Sequence, residues 1–230
     1  MYEPSPLLRF VEDRLQILAL SFMAIVYLLK IRWILKFPAG RDRQAAASNA
    51  STKASNGAWY SLFIIALPWA MPSTRRHPFF YVQFVIFHLG VAASIAMSFL
   101  IPYGPGLISS RVAVAALQAM FIVAFIVGFM RLVRRVSDPY ERSISTPDDY
   151  FSLILLLVWF AFSFLAAPNR PERGEWFLRG YFLLTAFFLI YVPFSKISHY
   201  LYYPFSRWYL GKTLGHRGVY PIKRGSQLQD

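Results

Sequence analysis

The sequence predicts an all-α integral membrane protein: a five-transmembrane-helix bundle, with an extra interfacial helix between spans 1 and 2. Three observations carry this. Of 230 residues 57% are hydrophobic and 15% charged, whereas ordinary soluble domains hold about 25% charged residues. Five apolar runs approach or exceed the roughly 20 residues that a helix needs to cross a bilayer. Lys and Arg, 24 in all against 11 Asp and Glu, gather at the ends of those runs rather than inside them. One domain, residues 1–230, is expected.

The spans follow in order. Residues 1–13 are a short polar lead, and span 1 covers 14–37. Lys30, Arg32 and Lys36 crowd its far end, where long side chains can snorkel to the interface. The lead holds Glu3, Glu12 and Asp13 in place of the basic region of a cleavable signal peptide, and the apolar run that follows is too long for one. Residues 38–57 read as a loop: Gly40-Arg41-Asp42-Arg43 is charged, and 45–58 is low in complexity. Residues 59–71 are apolar but short, with Pro68 and Pro72. A helix lying at the membrane surface suits that length better than a re-entrant segment.

Arg75-Arg76-His77-Pro78 marks an interface, and span 2 runs over 79–101. Pro102-Tyr103-Gly104-Pro105-Gly106 ends it with turn residues. Span 3 covers 112–130, has Gln118 as its one clearly polar side chain, and ends at Arg131, Arg134 and Arg135. Ser145-Thr146-Pro147-Asp148-Asp149 is a helix start: a capping hydroxyl, a proline for the first position, and acids for the positive end of the dipole. Span 4 covers 150–167, and 168–175 is a tight polar loop. Span 5 covers 176–200, with Pro193 as a kink near its inner end. Residues 201–230 form a basic, aromatic tail.

On alternate sides of these spans the Lys and Arg residues divide 18 to 6. The positive-inside rule then places the N-terminus outside and the C-terminus in the cytoplasm. A formal charge of +13 would suggest nucleic acid in a soluble domain. Here no nucleic-acid module accompanies it, and lipid head groups account for the pattern. Cysteine is absent, which excludes disulfides, Cys-x-x-Cys-His haem attachment and cysteine-ligated iron–sulfur clusters in this chain.

Four histidines are present: His77, His88, His199 and His216. An ionisable residue within a membrane span is a functional-site candidate by default. His88 and His199 lie on antiparallel spans, both in the cytoplasmic half. Two imidazoles on opposite faces of one porphyrin are what a six-coordinate b-type haem requires. The other reading of His88 is a histidine hydrogen-bonded within the bundle, to Gln118 or a serine. At 1.5 Å per residue His88 is about 14 Å from the start of its span, deeper than His199. Gly90 and Ala92-Ala93 leave room either for a flat macrocycle or for plain helix–helix contact. His77 precedes a proline at an interface, and His216 lies in the basic tail.

Several motifs taken together resemble the haem b membrane subunit (gamma subunit) of respiratory nitrate reductase. The resemblance extends to the membrane cytochromes of heterodisulfide-reductase-like and sulfate-reducer redox complexes. The matching residues are Arg76-His77-Pro78-Phe79-Phe80-Tyr81 leading to Phe87-His88-Leu89-Gly90-Val91, then Ser145-Thr146-Pro147-Asp148-Asp149, then Pro193-Phe194-Ser195-Lys196-Ile197-Ser198-His199. The resemblance implies one inner haem b with His88 and His199 as axial ligands. Arg75, Arg76, Arg134, Arg135 and Lys196 are candidates for its propionates. The family's second, outer haem would need histidines where this chain has Ser98 and the region around Tyr181, so that haem looks lost and the neighbouring quinone site is in doubt. Candidates for menaquinone or ubiquinone contact are Tyr103, Arg111 and Tyr181.

The implied role is a non-catalytic electron-transfer subunit of a multisubunit respiratory oxidoreductase in the inner membrane of a prokaryote. It would link the quinone pool to an iron–sulfur partner on the cytoplasmic side. The alternative is a haem-free anchor that holds such a complex together. A transporter is the third reading, weakened because no acid falls within the spans as drawn.

Overall fold

A computed structural model describes residues 3–38, 40, 43, 44 and 53–222. Arg41 and Asp42 of the charged segment, residues 45–52 of the low-complexity segment, and Lys223 and Arg224 of the tail lie outside the described residues. The described residues contain helices and turns and no strand. Five helices are long and apolar enough to cross a membrane: Pro6–Lys36, Pro78–Tyr103, Arg111–Ser137, Pro147–Ala166 and Trp176–Phe194. The chain is a multi-pass membrane protein.

Helix α1 is Pro6–Lys36, with a π-helical turn at Phe10–Arg14. It starts eight residues before the predicted boundary because Ser5 caps it, accepting from the Leu8 N–H at 3.1 Å, with Pro6 at the first helical position. Glu12 and Asp13 therefore belong to this helix, which corrects the expectation of spans without acids. Helix α2, Ala54–Trp59, continues as a π-helical turn, Tyr60–Ile64. A short helix α3, Pro72–Arg76, precedes α4, Pro78–Tyr103. Helices α5 (Arg111–Ser137), α6 (Pro139–Ser143), α7 (Pro147–Ala166) and α8 (Trp176–Tyr191) follow, and α9 is His199–His216.

Two predicted boundaries change. The fifth span ends well before residue 200. Pro193 lacks an N–H for a continuing ladder, Val192–Phe194 tightens into a 3-10 turn, and Ser195 is extended at φ −103°, ψ 171°. His199 thus opens a new helix instead of closing the span, and most of the predicted tail is that helix. The predicted surface helix at 59–71 is shifted towards the N-terminus: helical residues run from Ala54 to Ile64 and turns follow.

The chain divides into two compact units. The first comprises residues 1–29 and 82–197. In it α5 packs on α7, α7 on α8, and α8 on the π-helical turn of α1. Its core includes Phe87, Met97, Phe121, Trp159, Phe160, Tyr181 and Phe182. Gly90 lets α4 approach α5 closely: a methyl there would stand 2.4 Å from the Ala124 Cβ. Helix–helix contact, rather than a face for a macrocycle, is therefore the use of Gly90. Large apolar side chains such as Leu18, Ile25, Ile95, Ile126 and Leu183 point outward, as helices surrounded by lipid require.

The second unit comprises residues 30–81 and 198–230. Its centre is a glycine seam between α2 and α9. A Cβ at Gly57 would meet the Gly211 carbonyl oxygen at 2.4 Å and the Gly215 Cα at 2.5 Å. Gly211 and Gly215 are four apart and Ala54 and Ala58 face them, so the backbones touch as in small-xxx-small helix pairs. Trp59 and Phe63 stack at 5.5 Å on the exposed side of the same turn, and Trp208 meets Trp59 edge-on at 5.4 Å. This unit holds thirteen Lys and Arg residues and two Asp.

Candidate functional site

His88 sits in the middle of α4, in the first unit, with its side chain outside the apolar core. Its Nδ1 lies 2.8 Å from the Phe84 carbonyl oxygen, one turn back, and its ring lies 4.1 Å from the Phe84 ring. A carbonyl only accepts, so Nδ1 carries the proton, and in the neutral ring Nε2 then holds the lone pair. Histidines that ligate metals are commonly fixed this way, through a carbonyl on the other ring nitrogen. The in-bundle alternative named Gln118 as a partner; Gln118 Nε2 donates instead to the Phe164 carbonyl at 3.2 Å.

His199 is the first residue of α9, in the second unit, and its ring is exposed. The chain just before it is held in the first unit, where Val192, Pro193 and Ser195 are buried. Ser195 Oγ accepts from the Ile197 N–H at 3.2 Å and donates to the Val192 carbonyl. For a haem b each histidine offers a suitable nitrogen donor, and the tautomer of His88 is set in advance.

Three of the five propionate candidates already face carboxylates. Arg134 pairs with Glu141 at 3.0 Å, Lys196 with Asp149 at 2.6 Å, and Arg135 approaches Asp149 at 3.9 Å while donating to Ser145 Oγ at 2.6 Å. Arg75 and Arg76 form the exposed last turn of α3.

The quinone candidates divide. Tyr103 is exposed, and its hydroxyl donates to Asp13 at 2.6 Å. Arg111 is the exposed first residue of α5, next to its Ser110 cap. Tyr181 is fully buried, and its hydroxyl donates to the Ser94 carbonyl at 2.6 Å. A ring arriving from the lipid would meet Tyr103 and Arg111 but would have to open the core to reach Tyr181. The same burial bears on an outer haem. Ser98 donates to the Ile95 carbonyl, Ser94 pairs with Ser163 at 3.0 Å, and Tyr181 crosses to Ser94. Ser94, Ser163 and Tyr181 fill the interior with side chains, Ser98 is half-buried beside them, and none supplies an imidazole, so these residues do not fit a second haem.

From sequence, Ser145–Asp149 reads as a helix start and as one of the segments that carry the resemblance, with no partner assigned to it. Its capping box forms, with the Thr146 N–H and hydroxyl donating to Asp149 at 2.8 Å. Beyond that, the Lys196 N–H donates to Asp148 at 3.1 Å, Lys196 Nζ reaches Asp149 and Thr146, and the Tyr191 hydroxyl donates to Asp148 and pairs with Ser152. Two of the segments that carry the resemblance therefore touch. The signal available in sequence was the pairing of adjacent acids with a basic residue just before a histidine, and nothing in one chain ties positions nearly fifty residues apart.

The chain is similar to a protein of Nitratidesulfovibrio vulgaris strain Hildenborough, described simply as a protein. They are 29% identical over 176 residues, covering 70% of this chain and 71% of that one. No protein-family model matches the chain, and no solved structure matches it.

Proposed function

We propose that this chain is the haem b membrane subunit of a multisubunit respiratory complex. In this reading it lies in the inner membrane of a prokaryote with its N-terminus outside, its C-terminus in the cytoplasm and α2 at the membrane surface. It passes electrons between the quinone pool and an iron–sulfur partner on the cytoplasmic side. His88 and His199 hold the iron. The observation that carries the reading is the Nδ1 of His88 held by the Phe84 carbonyl within an apolar helix, the kind of contact that commonly orients a metal-ligating histidine.

Bound haem supplies a one-electron carrier inside the membrane. The chain's own residues do the rest. Phe84 orients the His88 ring, Arg75 and Arg76 are cations for propionates, and Tyr103 and Arg111 are the exposed candidates for contact with a quinone head group. Chemistry on the terminal substrate belongs to other subunits.

The test is a pyridine haemochrome assay and a reduced-minus-oxidised spectrum of the purified protein, with His88→Ala and His199→Ala beside wild type. One b haem per chain, lost in either variant, is expected. A folded wild-type protein without haem would leave the haem-free anchor as the function. Two haems per chain would overturn the account of Ser98 and Tyr181.

A further inference from the structure

We propose that Asp148 and Asp149 are positioning residues for His199: together they clamp Lys196 and fix where the chain leaves the bundle to begin α9. This rests on the reading of His199 as an axial ligand.

An axial histidine on a continuous helix is aimed by that helix. Only a 3-10 turn, Lys196–Ser198, leads into His199 on its N-terminal side, and an extended Ser195 separates that turn from α8, which ends at Tyr191. A ligand at the start of a helix, just after a break, needs its approach fixed by other means. The approach is fixed at four points. Asp148 takes the Lys196 main-chain N–H at 3.1 Å. Asp149 takes Lys196 Nζ at 2.6 Å, and Thr146 Oγ1 takes the same ammonium at 2.9 Å. Tyr191, the last residue of α8, donates to Asp148. Arg135 adds a second cation 3.9 Å from Asp149.

Each acid has a distinct task. Asp148 joins the end of α8 to the residue beyond the break, since it receives both Tyr191 and the Lys196 backbone. Asp149 closes the α7 capping box and binds the Lys196 side chain, so the start of α7 and the approach to His199 share one carboxylate. A helix cap alone would need Asp149 and Thr146. It would not need Asp148 on a main-chain N–H of another segment. Ile197, two residues before the ligand, packs against the first unit's core.

The experiment uses the full chain, purified with whatever subunits accompany it, as wild type, Asp148→Asn, Asp149→Asn, Lys196→Met and Lys196→Arg. Glu175→Gln is the control. Glu175 is a buried carboxylate that ties Ser5 and Arg179 at the opposite end of α8. Hydrogen–deuterium exchange of a peptide covering 192–200 reads the clamp without haem. Haem retention, the midpoint potential and the ferric low-spin EPR signal read the ligand.

Asp149→Asn and Lys196→Met should speed exchange at 192–200, weaken haem retention about 10- to 100-fold, as loss of a ligand's supporting partner does, and shift the EPR signal. Asp148→Asn should act in the same direction, and Lys196→Arg should restore most of the loss. Glu175→Gln should lower thermal stability and leave the EPR signal in place. Wild-type exchange, potential and EPR signal in the Asp and Met variants would overturn the proposal while leaving His199 as a ligand. Faster exchange in a protein that holds no haem, or that keeps it in His199→Ala, would retain the clamp as a structural tie and remove its assigned role together with the ligand reading.

Discussion

Substituting Gly57 by alanine places one methyl group against another helix's backbone, and the size of the effect can be worked from the seam. The added Cβ would lie 2.4 Å from the Gly211 carbonyl oxygen, 2.5 Å from the Gly215 Cα and 2.8 Å from the Gly215 nitrogen. Ordinary contacts begin near 3.4 Å. All three obstacles are main chain, so no side chain can swing away. Helices α2 and α9 must part by about 1 Å, a demand of the kind that typically costs about 1–3 kcal/mol in an already packed core. Alanine returns about 1 kcal/mol through better helix propensity. The net is up to about 2 kcal/mol against the pairing, or up to roughly a 30-fold increase in its open population. Hydrogen–deuterium exchange of the protein in detergent or nanodiscs measures this directly on peptides covering 54–64 and 199–216. Gly211→Ala, which meets the Gly57 oxygen and the Ala58 Cα at 2.6 Å, should act in the same direction. Gly106→Ala has nothing within 4 Å and should leave both peptides unchanged. Exchange in Gly57→Ala that is slower than wild type would refute the close backbone approach.

Three further outcomes are expected. Gly90→Ala should lower the melting temperature through its collision with the Ala124 Cβ, and Gly90→Ala combined with Ala124→Gly should recover most of the loss in a double-mutant cycle. Trp159→Phe should cost about 0.5–1.5 kcal/mol, the usual net worth of one hydrogen bond, because Trp159 Nε1 donates to Thr185 at 2.9 Å within the core; Trp33→Phe, on an exposed tryptophan, should leave the melting curve unchanged. The basic second unit should make native mass spectrometry show retained anionic phospholipid in preference to zwitterionic lipid, and Arg207→Gln with Lys212→Gln should reduce that preference, each cation near such a surface being worth about 1 kcal/mol.

The five spans were legible because crossing a bilayer demands length and apolarity, both of which a single sequence displays. Their ends were less so. Span 1 was cut at Arg14 because Glu12 and Asp13 looked like a boundary, whereas the helix tolerates them at a π-helical turn and Tyr103 partners Asp13. Span 5 was carried to residue 200 because apolar and aromatic residues continue without interruption, and hydropathy cannot distinguish a kink at Pro193 from a termination. Helix α2 was hidden in a run of Ala, Ser, Asn and Gly that composition marks as a loop. Its stability comes from glycines more than 150 positions later. The Gly211-x-x-x-Gly215 spacing was visible but was left within the tail. The two histidines and the basic residues are candidates that the sequence alone supplies. What could not be read was which cations already face carboxylates: Arg134, Arg135 and Lys196 are tied through Glu141 and Asp149, and such pairings depend on the fold.

Inside a bilayer, burial of apolar surface does not distinguish one helix partner from another, because lipid is as apolar as a leucine. Specific pairing of α4, α7 and α8 in the first unit must come from close backbone approach and from polar ties. Each is present. Gly90 admits Ala124, and Gly128 admits Leu157 and Phe87. Ser94 pairs with Ser163, Tyr181 donates to the Ser94 carbonyl, Trp159 donates to Thr185, and Gln16 donates to the Phe182 carbonyl. Most of these ties cross between different helices, and α8 is an endpoint of three of them. At its start Glu175 gathers Ser5 and Arg179, and at its end Tyr191 meets Asp148. Helix α8 is therefore fastened along its whole length, from its start at Trp176 to the break at Pro193.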